Sequence, residues 1–317
     1  MRRIVRSRVS IRRPFVQERP TALALALSLF SPEKQRHAVT TTMLRPATEL
    51  SGLFGAWRGS RLVGAIWGEI LPGRTAVANP AQLVAGEPPD TGRALLNQLE
   101  RYFLEHGVRF YQTQLEYAAE PEVEFLRAAG LEHAAELIFL ACDPAQSNEA
   151  PPQDWEFQPY RESERGRLMA VIEQTYQGSL DLPMLDGVRS LDDVLTGYQH
   201  TGVWRPEMWQ FVRRQGQDVG CLLLAEHQPH TVWEIVYLGM IPQVRGQGGG
   251  LATTRYAQRL VGKAGGRHLL LAADSQNQPA LRIYQRAGFR EFQRRQVFLK
   301  VLDPTRLNSR ERSRRSL

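Results

Sequence analysis

Cysteine is almost missing from this chain: Cys142 and Cys221 are the only two in 317 residues. Two thiols cannot build a disulfide framework, and neither has a companion at metal-ligand spacing. A reducing, cytoplasmic compartment and no metal are therefore expected. Long apolar runs are missing too. None approaches the ~18–20 residues that a membrane span requires, so a membrane is not expected as a partner. Acidic residues are absent from the first thirteen positions, where Arg2, Arg3, Arg6, Arg8, Arg12 and Arg13 give a net charge of +6. Residues 303–317 set five arginines against Asp303 and Glu311, for +3, which leaves −2 of the total +7 on the rest of the chain. The basic character belongs to the ends, which read as solvated tails, and nucleic acid is an unlikely partner by composition.

What is present fits a globular protein with a substantial core: 42% hydrophobic and 23% charged residues. The length suits two domains of roughly 150 residues. Arginines followed by Thr21-Ala-Leu-Ala-Leu-Ala-Leu-Ser-Leu-Phe30 imitate a signal peptide. The charged region is long and holds Glu18, and no small-x-small cleavage site follows, so a helix beginning after Pro20 is the better reading.

An internal repeat organises the chain. Leu62-Val-Gly-Ala-Ile-Trp-Gly-Glu-Ile70 matches Asp218-Val-Gly-Cys-Leu-Leu-Leu-Ala-Glu226, with Gly64 opposite Gly220. Phe125-Leu-Arg-Ala-Ala-Gly-Leu131 matches Ile283-Tyr-Gln-Arg-Ala-Gly-Phe289, with Gly130 opposite Gly288, at glycine separations of 66 and 68 residues. Both copies read as a hairpin (53–57 with 62–71; 209–213 with 218–226), then a third strand (75–84; 231–241). A helix (91–106; 250–263), a strand (108–116; 267–273), a second helix and a closing strand (137–143; 296–303) follow. Pro144, Pro151 and Pro152 mark a linker at 147–154. The expected organisation is α/β (α+β): two tandem units at 1–149 and 150–303, each a mixed, mainly antiparallel sheet flanked by helices, and a basic tail at 304–317.

Chemistry concentrates in the second copy. Its third strand ends near Pro242 and a helix with Ala252, Tyr256 and Leu260 on one face begins near Gly250. Between them Arg245-Gly-Gln-Gly-Gly-Gly250 places four glycines in five positions. Such a turn lets backbone approach a ligand closely and offers successive N–H groups at a helix start, which suits phosphate. No Gly-Lys-Ser/Thr follows as in a P-loop, nor does the pattern fit a dinucleotide-binding βαβ.

Leu238, Met240 and Pro242 followed by Arg245-x-x-Gly248-x-Gly250 resemble the acyl-CoA pyrophosphate loop of the GNAT N-acetyltransferase superfamily. Asn277-x-x-Ala280-x-x-x-Tyr284-x-x-x-Gly288-Phe289 resembles its second signature. The resemblance covers about 153–303 fully and the first copy in outline, and the tandem arrangement is similar to mycothiol synthase-like acetyltransferases. It implies an acetyl-CoA-dependent N-acetyltransferase acting on a small-molecule or peptide amine by direct attack. Leu238, Gly239, Met240, Arg245, Gly246, Gln247, Gly248, Gly249, Gly250, Leu251, Asn277 and Tyr284 would hold the cosubstrate.

Tyr284 shares a helical face with Ala280, Ile283 and Ala287; a phenol of pKa near ~10 stays protonated and can protonate a departing thiolate, the role of the family's tyrosine at this position. Glu234, expected on one pleat face with Val236, Leu238 and Met240, is the candidate base, with His227 and His230 behind it. Ser179, Asp181 and Asp186, in the segment after the first helix of this copy, could meet a cationic amine. In the first copy Pro88-Pro-Asp-Thr91 replaces the glycine turn and Leu126 stands in the place of Tyr284, so that copy is expected to be silent. Two other readings are a non-catalytic acyl-CoA-binding regulatory module and an aminoacyl transferase on the duplicated fold. The sequence carries no signal for an oligomeric state.

Overall fold

The computed structural model describes residues 8–116, 120–144, 154–181, 188–228 and 230–302. Most of the expected linker, the tail at 304–317 and Asp186 lie outside the described residues. Two compact units form, Met1–His133 with Val297–Leu317, and Ala134–Gln296. This division differs from a single boundary near residue 150, because each unit includes the closing strand of the other copy.

The first unit holds β1 (Ser10–Arg12), α1 (Arg19–Ala26), α2 (Pro32–Met43), β2 (Leu53–Arg58), β3 (Arg61–Leu71), β4 (Thr75–Ala78), β5 (Gln82–Leu83), α3 (Pro89–Glu105), β6 (Phe110–Leu115) and α4 (Glu120–Ala128). β1, β2, β3 and β4 pair antiparallel in that order, and β4 pairs parallel with β6. The expected strand 75–84 is two strands: Asn79-Pro80 interrupts it, since proline cannot donate to a ladder, and β5 returns to pair with β3. The Ala-Leu stretch forms α1, whose Ala22, Leu23 and Ala26, with Leu27 just after its end, are buried against Leu50, Leu53 and Ala65. Arg12 is no free tail residue. Within β1 it pairs with Glu18 at 2.7 Å and lies over the Trp57 ring.

The second unit begins with β7 (Glu132–Cys142), of which the residues from Ala134 onward belong here. β8 (Glu156–Pro159), α5 (Arg165–Tyr176), α6 (Leu191–Gln199), β9 (Gln210–Arg214), β10 (Gln217–His227), β11 (Val232–Met240), α7 (Gly249–Lys263), β12 (His268–Asp274) and α8 (Gln278–Arg286) follow. Strands β8 to β11 pair antiparallel in sequence order; β12 pairs parallel with β11 and antiparallel with β7. α5 and α6 cover one face through Leu168, Val171, Ile172 and Leu195, against Trp209, Phe211, Cys221 and Leu223. α7 and α8 cover the other through Ala257, Val261, Leu281 and Tyr284, against Leu222, Leu224, Trp233 and Leu271. β13 (Arg290–Val301) closes the chain, and from Val297 it belongs to the first unit, where Phe298 and Leu302 join the core.

The repeat recurs as local geometry. In each copy the hairpin register slips just before the matched glycine: Val63 is passed over between Trp57↔Leu62 and Ala56↔Gly64, and Val219 between Asp218↔Arg213 and Gly220↔Val212. Gly130 and Gly288 both take positive φ, 80° and 87°, where a helix ends and a β-branched or bulky residue would be strained. No helix among the described residues is long and apolar enough to cross a membrane.

Candidate functional site

The parallel pair β11–β12 is short. It is in register only from Val232↔His268 to Glu234↔Leu270, although β11 runs on to Met240 and β12 to Asp274. Beyond Glu234 the two strands are no longer paired with each other, and they part toward the glycine turn.

The turn itself starts with a single 3₁₀ turn at Pro242–Val244 and enters α7 through Gly248, whose φ of 89° only glycine adopts without strain. Ala252 is the first residue there to donate its amide to a carbonyl, that of Gly248 at 3.0 Å. The amides of Gly249, Gly250 and Leu251 have no backbone acceptor among the described residues, as expected for the first turn of a helix. A Cβ on Gly246 or Gly248 would meet nothing within 4 Å, so the outer side of the turn is open. The inner side is packed. A Cβ on Gly249 would lie 2.5 Å from the Trp155 ring, and one on Gly250 would lie 2.9 Å from Ile283. A diphosphate fits this donor set: it needs several N–H groups, open space and the positive end of a helix dipole, and all three are here.

The side chain of Arg245 is engaged elsewhere. Its guanidinium donates to the carbonyls of Met240 (3.0 Å), Gly178 (3.0 Å) and Thr175 (2.9 Å), which ties the end of β11 to the turn after α5. Its amide is also used, by Pro242 O. Arg245 therefore shapes the turn, and its guanidinium donors are committed to carbonyls. The cation beside the turn is Arg214, at the end of β9, which donates to Gln247 Oε1 and stands 4.9 Å from the Trp155 ring centroid. Nothing in the sequence links Arg214 or Trp155 to the loop, because a sheet edge brings them there.

Tyr284 is 8% exposed and packs between α7 and the sheet, with Phe289 tilted against it. Its hydroxyl makes no hydrogen bond to another described residue. Burial raises its pKa above that of an ordinary phenol, and the charge of Asp181 raises it further, so the proton is held firmly at neutral pH. Asn277 caps α8, accepting from the Ala280 amide at 3.3 Å, and its amide group donates to Asp181. Leu238 faces the α7–α8 core, while Met240 packs with Trp155 and Ala252. Gly239 leaves room for Tyr237 and Thr175, whose hydroxyls are 2.7 Å apart.

Glu234 is on the other face of the sheet from the one expected for it. Leu224 pairs with Ile235 and Leu223 with Tyr237, so Val236 is an extra residue, a bulge that reverses the alternation. Trp233, Ile235 and Leu238 consequently share the α7–α8 side, and Glu234 shares the α5–α6 side with Tyr237 rather than with Leu238 and Met240. Its carboxylate bonds His227 Nε2 at 2.8 Å, and that bond raises the histidine pKa. His230 pairs with Glu226 instead, at 3.1 Å. Neither thiol offers a nucleophile. Burial raises Cys221 well above the ordinary range and Cys142 to about 11. Among the described residues no group of three or more His, Cys, Asp or Glu side chains is arranged to hold a metal.

The corresponding place in the first unit is filled from within. α3 starts at Pro89, and Glu87 accepts from the Thr91 hydroxyl at 2.6 Å while pairing with Arg58 at 2.8 Å. A carboxylate and two prolines stand where the second copy has free amides.

Residues 190–289 match the acetyltransferase (GNAT) family. The GNAT family transfers acyl groups, and its members use acetyl-CoA. Among solved structures, a GCN5-related N-acetyltransferase from Sphaerobacter thermophilus is similar over 93% of this chain and 96% of its own, at 14% identity and a TM-score of 0.63. The GCN5-related glucosamine N-acetyltransferase region of a fungal multi-domain GH3 β-N-acetylglucosaminidase is similar over 94% of this chain and 38% of that one, at 12% identity and a TM-score of 0.63. Both share the GNAT fold with this chain. No curated protein sequence matches it.

Proposed function

We propose that the second unit is an acetyl-CoA-dependent N-acetyltransferase that moves the acetyl group to a primary amine by direct attack. The observation that carries this reading is the open glycine turn, with the free amides of Gly249, Gly250 and Leu251, set beside the parting of β11 and β12. The amides and the α7 dipole would take the diphosphate of acetyl-CoA, with Arg214 adding positive charge at the side. A thioester arm of that cosubstrate would lie between the parted strands, where Leu238, Gly239 and Met240 offer backbone.

Tyr284 supplies the acid. A buried phenol whose pKa is raised keeps its proton until a thiolate, a stronger base than water, leaves beside it. Glu234, on the α5–α6 side, is the base for the amine nitrogen, working through water and linked to solvent by half-exposed His227. Two thiols held above neutral pH support transfer without a covalent enzyme intermediate. The first unit, with Glu87 at the α3 start, contributes no second site.

The test is to incubate the chain with acetyl-CoA and a panel of primary amines that includes glucosamine, phenethylamine, spermidine and a lysine tripeptide. Thiol release and the acetylated product are followed by mass spectrometry, and titration calorimetry gives the stoichiometry. The expected result is one acetyl-CoA bound per chain and amine-dependent thiol release. Binding without transfer to any amine would favour a non-catalytic sensor.

A further inference from the structure

Asp181 lies three residues beyond Gly178, on the exposed turn that Arg245 ties to β11. Its carboxylate nevertheless folds inward. Oδ1 accepts the Asp274 amide at 3.1 Å, at the end of β12 where the parted strand β11 offers no carbonyl. The Asn277 side chain is its second donor. Asp181 makes no salt bridge among the described residues, and the Arg245 guanidinium, bonded to the same turn, is committed to three carbonyls. A second carboxylate, Asp274, is buried beside it, 2% exposed, and accepts the Gln276 amide at 2.9 Å.

Helix geometry brings Tyr284 to the same place. Asn277 caps the start of α8, and Tyr284 lies within that helix seven residues on. Helical side chains lean toward the N-terminus, so the phenol leans toward the α8 start, where Asn277 holds the Asp181 carboxylate. The residue is largely buried, its hydroxyl makes no hydrogen bond to another described residue, and the charge on Asp181 acts on it. Asp181 is exposed, is held by two neutral donors and makes no salt bridge among the described residues, so its carboxylate is open to an ammonium group.

We infer that Asp181 receives the ammonium group of the acceptor and relays its proton to Tyr284. This rests on the transferase reading above. Asp181 takes one proton from R–NH3⁺, leaving R–NH2. The nitrogen lone pair forms the C–N bond to the acetyl carbon as the C–S bond breaks, with its electron pair going to sulfur. Sulfur takes the Tyr284 proton, and Asp181 returns its proton to Tyr284. A second nitrogen proton leaves through Glu234 to solvent, and the third stays on the amide. An ammonium and a thioester give an amide, a thiol and one released proton. The acceptors that fit are cationic at neutral pH; neutral hydroxyl compounds do not fit.

The groups facing Asp181 that bear on its titration are Asp274 from β12, Tyr284 from α8 and Tyr237 from β11. Burial raises its pKa above the usual carboxylate value, against the lowering by the Asp274 amide and the Asn277 side chain and with a small addition from the Asp274 charge, which makes it a better proton acceptor. The test compares Asp181→Asn, Tyr284→Phe and the double variant, using the best amine of the panel. Asparagine still accepts from the Asp274 amide, so acetyl-CoA affinity by calorimetry should stay within about threefold. The kcat/KM for the amine should fall by roughly 10² or more near neutral pH. The loss should shrink as pH rises toward the amine's own pKa, near ~10 for an alkylamine. Because the two residues act in series, the double variant should be little worse than the worse single one. Near wild-type turnover in Asp181→Asn, a loss equal at every pH, or losses that multiply in the double variant would each overturn the relay. Failure of the wild-type chain to bind acetyl-CoA or to acetylate any amine would instead remove the transferase reading, and the relay with it.

Discussion

At the scale of single residues, Tyr284 and Gly249 separate chemistry from binding. Tyr284→Phe keeps the ring between α7 and Phe289 and removes only the proton. Acetyl-CoA affinity should be retained while kcat falls by roughly 10²–10⁴; full activity at saturating substrates would show that the thiolate is protonated by another group. Gly249 is a packing constraint. The Trp155 ring and the Met240 methyl would stand 2.5–2.7 Å from an added Cβ, and an indole ring cannot swing away as a flexible chain end can. Gly249→Val should therefore displace the α7 start and weaken acetyl-CoA binding at least tenfold by calorimetry. Gly248→Ala has open space and should lose less, through the backbone strain of about 1–2 kcal/mol that a left-handed residue carries.

At the scale of elements, β11 decides which groups reach the site, and it does so through one inserted residue. The bulge at Val236 turns Glu234 to the side of Tyr237, where it holds His227. That bond raises the histidine pKa, so its contribution to stability is fully present below the unfolded value of about 6.5 and is lost as pH rises through the folded value. The melting-temperature gap between wild type and His227→Gln should be widest in mildly acidic solution and close toward pH ~9. A gap that does not change with pH would mean that the pair is formed by neutral histidine.

The same strand shows what the sequence could convey. Hydrophobic alternation and the glycine turn located β11, α7 and Tyr284, because periodicity and φ > 0 positions are local properties. The face of Glu234 was not legible, since a bulge leaves no mark in composition and depends on the partner strand β10. Arg214 and Trp155 were equally hidden, because only sheet pairing brings them to Gln247 and Gly249. Arg245 reads in the motif as a binding residue, yet its guanidinium is used by carbonyls about seventy residues away in the chain.

At the scale of the whole molecule, each compact unit depends on a strand from the other copy. Ile138 and Leu140 of β7 are buried in the second unit, and Phe298 and Leu302 in the first. A large apolar side chain contributes ~1.5–3 kcal/mol on burial, and a domain's net stability is only about 5–15 kcal/mol. A fragment of residues 150–302 alone should therefore lack cooperative thermal unfolding, since β12 loses its neighbour β7. Adding residues 134–149 should restore it. A cooperative, acetyl-CoA-binding 150–302 fragment would refute this dependence.

The segment that was duplicated and the body that folds are thus different objects. A cut at the repeat boundary, which would be harmless between independent modules, should here damage both bodies at once. The first copy has no glycine turn and is still not dispensable, because its final strand is part of the second unit's sheet.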